Sequence, residues 1–374
     1  MASAEPGTTA LTYASAGVDT EAGDRAVELM KASVRRTHGP EVLGGLGGFA
    51  GLYDASFLTR YQRPLLATST DGVGTKIAIA RALDIHDTIG IDLVGMVVDD
   101  IVVCGARPLF MTDYIAVGKV VPERIAAIVS GIAKGCELAG TALVGGETAE
   151  HPGLMAADEY DVAGAATGVV EAESVLSPER VRVGDVVIGL ASSGLHSNGY
   201  SLVRGVLKQA GWSLEREVPE LGRTIGQELL EPTRIYTADV LAAAEALGHD
   251  LHAVSHVTGG GLAANLARVL PAGTSAVLER STWAPQPVFD LIMKLGSVPL
   301  LDAEGTFNLG VGMVLVVDPA VADRALEIFA GRNLPAWVLG QVSAPDGQTG
   351  EGTVQGTKGV DGGSVRLVGE YRGA

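Results

Sequence analysis

Residues 70–76 (TDGVGTK) combine glycine, carboxylate and ammonium groups in a pattern that suits phosphate chemistry. The two glycines let the backbone approach a ligand closely, Asp71 can hold a metal, and Lys76 can neutralise phosphate. The spacing matches neither the P-loop nor the dinucleotide-binding fingerprint. An ordinary Asp-Gly turn is the alternative interpretation of this segment alone.

Two adjacent carboxylates, Asp99 and Asp100, lie inside an apolar stretch whose helical periodicity covers residues 89–104. A buried carboxylate without a partner costs several kcal/mol, so such groups are usually paired or bound to metal. We therefore expect at least one of the two to face a site. A helix edge that leaves both carboxylates in water is the alternative.

Residues 144–150 (VGGETAE) place two carboxylates, Glu147 and Glu150, directly after paired glycines. Hard oxygen ligands from three separate segments are what Mg²⁺ bridging ATP phosphates requires. A glycine-rich turn with solvated acids is the simpler interpretation of this segment alone. The two other acidic segments favour a shared metal site.

Two strand-to-helix junctions in the second half suit anionic groups. In residues 192–200 (SSGLHSNGY), Ser197 or Asn198 is expected to cap a helix whose free N–H groups suit a phosphate. His196 stands beside them as an acid, a base or a charge donor, although a surface histidine is the alternative. Residues 256–261 (HVTGGG) form a second junction, so we expect two anionic groups.

The elements that must position these residues are both helices and strands. Periodicity predicts helices over residues 89–104, 122–139, 200–209, 233–247, 262–270 and 321–329. Alternation and β-branched residues predict strands over 64–68, 114–117, 142–144, 162–170, 186–190 and 312–317. A charged stretch at 171–185 predicts domains at 1–172 and 173–342, and residues 343–374 are predicted to be a mobile tail.

Composition excludes several classes of function. Lys plus Arg total 27 against 44 Asp plus Glu, a net charge of -17, so neither nucleic acid nor an anionic membrane is an expected partner. Two cysteines are too few for a disulfide framework. No apolar stretch reaches the roughly 18 residues of a membrane helix, and the N-terminus lacks signal-peptide order. We expect a soluble, cytoplasmic protein.

Residues 13–342 closely resemble the phosphoribosylformylglycinamidine cyclo-ligase family, also called AIR synthetases. The matching strings are PEVLGGLGGF, TDGVGTK, HDTIGIDLVGM, LVGGETAE, YDVAG, SSGLHSNGYSLVR, EPTRIY, HVTGGG and TFNLGVGM. The resemblance implies an α+β chain of two domains, each a mixed or antiparallel sheet covered by helices. It also implies a homodimer in which the N-terminal sheets join into a barrel.

The implied reaction is the ATP-dependent cyclisation of formylglycinamidine ribonucleotide to 5-aminoimidazole ribonucleotide, with release of ADP and phosphate, in de novo purine biosynthesis. ATP is the implied co-substrate, and the implied ligands of Mg²⁺ are Asp71, Asp100 and Glu147. The implied catalytic residues are His196, Lys31 and Lys76. The groups implied in binding ATP or phosphate are Asp71, Gly72, Gly74, Thr75, Lys76, Ser197, Asn198, Gly259, Gly260 and Gly261.

The sequence departs from the family pattern at three positions. Asp99 stands where relatives often have Asn, and His151 replaces a common Met. Gly305 replaces a common Arg, so no substrate contact is assigned to the loop that follows it.

Two other functions are compatible with the same motifs. One is another ATP enzyme of the superfamily, such as the synthetase that makes the amidine substrate, although the chain has no glutaminase-like cysteine motif. The other is a nucleotide-binding dimer that has lost catalysis, against which the complete set Asp71, Lys76, Asp100 and His196 argues.

Overall fold

The computed structural model describes residues 19–45, 47–345, 352–357 and 359–373. The first part contains α1 (Thr20–Arg36), β1 (Val42–Leu43), β2 (Leu52–Tyr53), β3 (Pro64–Gly72), α2 (Ile77–Leu83), α3 (Ile89–Val102), β4 (Arg107–Val117), α4 (Pro122–Ala139), β5 (Ala142–Glu150) and β6 (Tyr160–Glu171). The second part begins with β7 (Val186–Ala191), α5 (Tyr200–Ala210), β8 (Glu217–Val218), β9 (Arg223–Thr224), α6 (Ile225–Leu229), α7 (Thr237–Leu247) and β10 (Leu251–His256). It continues with α8 (Gly261–Ala267), β11 (Ser275–Glu279), α9 (Pro287–Gly296), α10 (Leu300–Glu304), β12 (Val311–Val317), α11 (Ala322–Gly331), β13 (Ala336–Ser343), β14 (Thr353–Gln355) and β15 (Ser364–Val368).

The first part forms a four-stranded sheet with the order β3-β6-β4-β5. β6 pairs antiparallel with β3 and β4, and β4 pairs parallel with β5. Helices α3 and α4 cover one face of this sheet. On the other face, Leu66, Thr112, Tyr114, Ala163 and Ala165 are exposed in the described chain. The four-stranded sheet therefore has one face packed against helices and one face that is uncovered in the described chain.

Glycines allow α3 and α4 to pack unusually closely. A Cβ at Gly90 would lie 2.0 Å from the backbone nitrogen of Ile132, and a Cβ at Gly131 would lie 2.2 Å from the Asp87 carbonyl oxygen. No real side chain tolerates such distances, so glycine is required at both positions. The close approach fixes α3, which carries the acidic residues of interest, over the sheet.

The second part forms a seven-stranded sheet with the order β10-β12-β7-β13-β11-β15-β14. Its pairings are antiparallel except for the parallel pair β11 and β15. The prediction that residues 343–374 form a mobile tail is therefore wrong for β15. Val365 of this strand is fully buried, and its register partner on β11 is Ala276.

An apolar core joins the two halves of the chain. One cluster of buried side chains includes Ile89, Leu93 and Val97 of α3 together with Leu195, Tyr200 and Leu229 from the second half. The halves thus share packed surface around α3. None of the helices in the described part of the chain has the length and apolar character needed to cross a bilayer.

The predicted α+β class is confirmed, and each predicted strand or helix has a counterpart. Strands β4 and β5 are longer than predicted, and the helix predicted to begin at residue 233 is shorter, because α7 begins at Thr237. The backbone before α7 forms hydrogen bonds with α3 instead of helical ones. Thr233 N donates to Asp92, and Tyr236 N donates to Asp99. Tertiary hydrogen bonds to α3 override the local helical pattern here.

Candidate active site

Helix α3 binds the second half of the chain through two fully buried carboxylates, Asp92 and Asp99. They lie seven residues apart and therefore on one helix face. Asp92 Oδ1 accepts hydrogen bonds from Thr233 N at 2.8 Å and Thr233 Oγ1 at 2.7 Å. Asp99 accepts from Tyr236 N at 3.0 Å and Thr237 Oγ1 at 2.7 Å. These two carboxylates join the halves.

Asp99 is thus a structural residue at the first turn of α7. Burial raises the pKa of its carboxyl group to about 6, although its hydrogen bonds with Tyr236 and Thr237 lower it. An amide oxygen could accept the same two hydrogen bonds, so the position is compatible with the Asn that the family resemblance implies there.

Asp100, the neighbouring residue, faces an open space. Its side chain is 42% exposed, and its Oδ1 lies 2.9 Å from His256 Nδ1 at the end of β10. Burial disfavours the imidazolium of His256, but the hydrogen bond with Asp100 and the nearby carboxylates together raise its pKa. The expectation that one residue of the 99–100 pair faces a site therefore fits Asp100.

Asp71 lies close enough to Asp100 for the two charges to interact. The pKa of Asp71 is raised by partial burial and by the Asp100 carboxylate, while its hydrogen bond with Gly72 N and the nearby His256 lower it. Two neighbouring carboxylates whose charges interact favour a cation between them. The structure thus brings two of the three predicted metal ligands together.

The third predicted ligand, Glu147, is not near them within one chain. Direct pairing aligns Asp71 with Gly164, Gly164 with Asp113, and Asp113 with Gly146 across the whole sheet. Glu147 follows Gly146 and therefore points to the opposite face. Three strand spacings of about 4.8 Å also separate β3 from β5, or about 14 Å. A single chain therefore does not assemble the predicted set of three ligands.

Lys76 occupies an enclosed position. Its side chain is fully buried, and Nζ donates to Asp92 Oδ1 at 2.8 Å, the His196 carbonyl at 3.1 Å and the Glu231 carbonyl at 2.6 Å. An ammonium group has three N–H donors, so all of them are used. This arrangement does not support the prediction that Lys76 neutralises a phosphate.

His196 has a defined tautomer when neutral. Burial, together with the nearby cations His256, Lys76 and Arg234, holds the pKa of its imidazole well below the ordinary value. Its Nε2 accepts a hydrogen bond from Ser193 N at 3.1 Å, so the ring proton is on Nδ1. Nδ1 is buried and has no partner among the described residues. The group is therefore a preformed hydrogen-bond donor.

The helix caps predicted in residues 192–200 are wrong. The N-cap of α5 is Gly199, at φ 79°, and no side chain caps the helix. Ser197 Oγ instead lies 3.3 Å from Thr233 Oγ1, and Asn198 Nδ2 donates to Met96 Sδ at 3.8 Å. Both side chains contact the junction between the halves, and their phosphate role stays a prediction.

Close packing accounts for one of the glycines in residues 259–261. A Cβ at Gly261 would lie 1.8 Å from the Glu304 carbonyl oxygen, so only glycine fits there. A Cβ at Gly259 would meet Asn198 Oδ1 at 3.4 Å, which places the two glycine-containing junctions side by side. Gly260 precedes the first residue of α8 at φ 105°. Whether this junction binds an anion stays a prediction.

The remaining predicted residues lie at different distances from the acidic pair, Asp71 and Asp100. Gly74, Thr75 and Lys76 form a 3-10 turn directly after β3, and exposed Thr75 Oγ1 lies 3.2 Å from Ser201 Oγ. Lys31 lies on α1, which packs against α4 rather than α3, and it forms an ion pair with Glu28. The structure does not bring Lys31 to Asp71 or Asp100.

Among the residues that the structure describes, Asp185, His252 and Asp318 have ligand-type atoms within 4.8 Å of one another. This cluster differs from the predicted ligand set. Asp185 precedes β7, whereas the loop with His196 follows β7, so the cluster lies at the opposite end of the sheet.

Sequence reasoning did not single out two residues of this region. His256 directly precedes a glycine-containing junction in the sequence, and no motif contains Asp113. Asp113 lies in the same register row as Asp71, and burial raises the pKa of its carboxyl group to about 7. The available signal for His256 is its place at the start of the HVTGGG junction, whereas Asp113 precedes the predicted strand over 114–117 and belongs to no motif.

Comparison with known proteins identifies the family. Residues 53–170 match the family described as AIR synthase related protein, N-terminal domain, and residues 182–352 match its C-terminal domain. The phosphoribosylformylglycinamidine cyclo-ligase of Geobacillus kaustophilus is 50% identical over 335 residues, which cover 89% of this chain and 96% of the relative. The cyclo-ligase of an Anaeromyxobacter species is 51% identical over 339 residues, covering 90% and 97%.

Solved structures of more distant proteins share the fold. The crystal structure of thiamine-monophosphate kinase from Stenotrophomonas maltophilia superposes with a TM-score of 0.65 at 18% identity, covering 93% of this chain and 97% of that chain. The half-identical relatives and the two matched domains confirm the resemblance predicted from the motifs. The chain belongs to the phosphoribosylformylglycinamidine cyclo-ligase family of AIR synthases.

Proposed function

We propose that this protein catalyses the ATP-dependent ring closure of formylglycinamidine ribonucleotide to 5-aminoimidazole ribonucleotide, with release of ADP and phosphate. The observation that carries this proposal is the 50% identity to named cyclo-ligases over 89% of the chain. The acidic pair Asp71 and Asp100 beside His256 supplies a site of suitable chemistry in this fold.

The chemistry requires activation of a poor leaving group. Transfer of the ATP γ-phosphoryl group to the formyl oxygen converts that oxygen into phosphate, and the amidine nitrogen then attacks the same carbon and expels phosphate. Phosphoryl transfer of this kind depends on positioning and charge neutralisation more than on covalent catalysis by the protein. A preformed donor such as His196 Nδ1–H suits an oxygen atom that gains negative charge.

The acidic pair fits Mg²⁺. Asp71 and Asp100 provide hard oxygen ligands, and their mutual repulsion would be relieved by a divalent cation. These two residues would hold the ion, and bound Mg²⁺ would neutralise charge on the triphosphate. The Asp100 carboxylate accepts its hydrogen bond from His256 Nδ1–H, which would orient it as a ligand.

We infer further that two chains associate through their four-stranded sheets to close a barrel. The uncovered face has exposed apolar side chains, with Leu66 at 65% and Tyr114 at 43% exposure. A second copy covering this face would bury them, and Glu147 points toward the same face. Dimerisation is therefore the arrangement in which Glu147 could contribute to an active site. A cytoplasmic location is part of the same proposal.

A coupled assay tests the proposed function. The purified protein is incubated with formylglycinamidine ribonucleotide and MgATP, ADP is measured, and the aminoimidazole product is detected by diazo coupling. We expect both products in equal amounts, and none without ATP or substrate. ATP binding without any imidazole product would refute the cyclo-ligase assignment and would favour a non-catalytic nucleotide-binding protein.

A further inference from the structure

We propose that Lys76 is a positioning residue, which holds the loop of residues 192–199 against α3, and is not a ligand of the ATP phosphates. The inference deepens the proposed function, because its effect on turnover presupposes the reaction proposed above. It concerns the connection between the two halves of the chain. Lys76 belongs to the first half, and the loop with His196 belongs to the second.

All three N–H donors of the Lys76 ammonium group are used. Nζ donates to Asp92 Oδ1, to the His196 carbonyl and to the Glu231 carbonyl, at 2.6 to 3.1 Å. The side chain has no exposed surface. A phosphate oxygen could reach Nζ only after one of these hydrogen bonds breaks and the surrounding residues move. A buried cation whose three donors are used stabilises its surroundings instead.

Lys76 also holds the backbone of His196. His196 has a positive φ of 61°, which is uncommon for a residue with a side chain, and its carbonyl accepts from Lys76. The imidazole of the same residue is fixed by Ser193 N–H. His196 is therefore held at its backbone by Lys76 and at its ring by the loop. Removal of Lys76 keeps the Nδ1–H donor of the His196 ring. It removes the hydrogen bond that holds the His196 carbonyl, so the His196 backbone can move.

Asp92 connects the same groups to α3. Its Oδ1 binds Lys76 Nζ and both Thr233 donors, and Thr233 Oγ1 lies 3.3 Å from Ser197 Oγ. One buried ion pair thus joins α3, the 192–199 loop and the segment before α7. Because Asp100 also belongs to α3, this network sets the position of His196 relative to the acidic pair.

Chemical labelling of the unaltered protein gives the first test. The protein is treated with an amine-acylating reagent with and without MgATP, and modified lysines are identified by mass spectrometry. We expect Lys294, whose side chain is 76% exposed, to react under both conditions and Lys76 to react under neither. Acylation of Lys76 that MgATP suppresses would overturn the proposal. This experiment needs no turnover, so it is independent of the proposed function.

Substitutions give the second test. Lys76→Met leaves a buried carboxylate without its cation, and a loss of folding is expected to limit its use. The double variant Lys76→Met/Asp92→Asn removes both charges, and the Asn oxygen can still accept from Thr233. Lys294→Met is the matched control for loss of a lysine at the surface. Thermal melting identifies the variants that fold.

In the folded double variant we expect kcat to fall about 100-fold, because a displacement near 1 Å can have such an effect. The affinity for MgATP should stay within about twofold of the unaltered protein, and the control should retain both values. Normal kcat in the double variant would overturn the positioning role. A loss of about tenfold or more in MgATP affinity would show that Lys76 binds phosphate. If the double variant does not fold, the labelling result decides.

Discussion

Replacement of Asp99 by Asn should change how stability depends on pH while the fold is preserved. The carboxylate is fully buried and accepts hydrogen bonds from Tyr236 N and Thr237 Oγ1. Asn can accept both through its amide oxygen, so Asp99→Asn should keep the first turn of α7 in place. The resemblance also implies that Asn is common at this position in relatives, so activity should be retained.

The sign and size follow from the pKa of Asp99, which burial raises from 3.8 to about 6. Because the folded state binds this proton more tightly than the unfolded state, its stabilising effect is present below about pH 4 and is lost as pH rises through about 6. Two pKa units correspond to about 3 kcal/mol. The unfolding free energy of the variant relative to the unaltered protein should therefore increase by up to about 3 kcal/mol over this range.

Melting temperatures measured between pH 4.5 and pH 8 would test this expectation. The range from pH 4.5 to pH 8 covers about 2 of the 3 kcal/mol. For a chain of this length the unfolding entropy is about 0.8 kcal/mol per kelvin, so the difference in Tm should grow by about 2 to 3 K. Asp302→Asn, which alters an exposed carboxylate, is the matched control and should show a constant difference. Parallel pH profiles for Asp99→Asn and the unaltered protein would refute the argument, because Asp99 would then not titrate differently in the folded state.

Four other substitutions or truncations test separate parts of the structure. Asp100→Asn should lower Mg²⁺-dependent ATP use at least about tenfold without altering the circular dichroism spectrum, and normal turnover would contradict a ligand role. His196→Ala should lower kcat more than MgATP affinity in steady-state and binding assays, and an equal loss of both would contradict a role in the chemical step. Deletion of residues 364–374 should lower Tm by several kelvin, because β15 pairs with β11 inside the sheet; an unchanged Tm would contradict its structural role. Leu66→Glu should shift the mass measured by light scattering from dimer to monomer, and a variant that remains dimeric would contradict association through the uncovered sheet face.

The sequence predicts the α+β class, and it predicts six of the helices and six of the strands, because the apolar periodicity of these elements is regular. Helix α4 is an example, with Pro122 at its start and Gly140 in the left-handed conformation at its end. Asp100 could also be predicted, since a carboxylate inside an apolar helix requires a partner. These signals are local, so a single chain segment contains all the information that they need.

The environment of Lys76 could not be predicted in the same way. The glycines at positions 72 and 74 suggest a phosphate loop, but the two carbonyl partners of Lys76 are 120 and 155 residues away. The sequence does not predict strand β15, because glycine-rich segments surround it and its partner β11 lies almost 90 residues earlier. Glu147, like Asp71, stands next to a glycine in the sequence, but the alternation of side chains along β5 directs it to the opposite face of the sheet. Long-range pairing determines all three outcomes.

The location of the metal and the triphosphate is the central claim, and a crystal of the protein with Mn²⁺ and a non-hydrolysable ATP analogue tests it most directly. Anomalous scattering from Mn²⁺ should show a peak within bonding distance of the Asp71 and Asp100 carboxylates, with the triphosphate on the same ion. Both carboxylates in solvent, with the nucleotide bound elsewhere, would contradict this proposal.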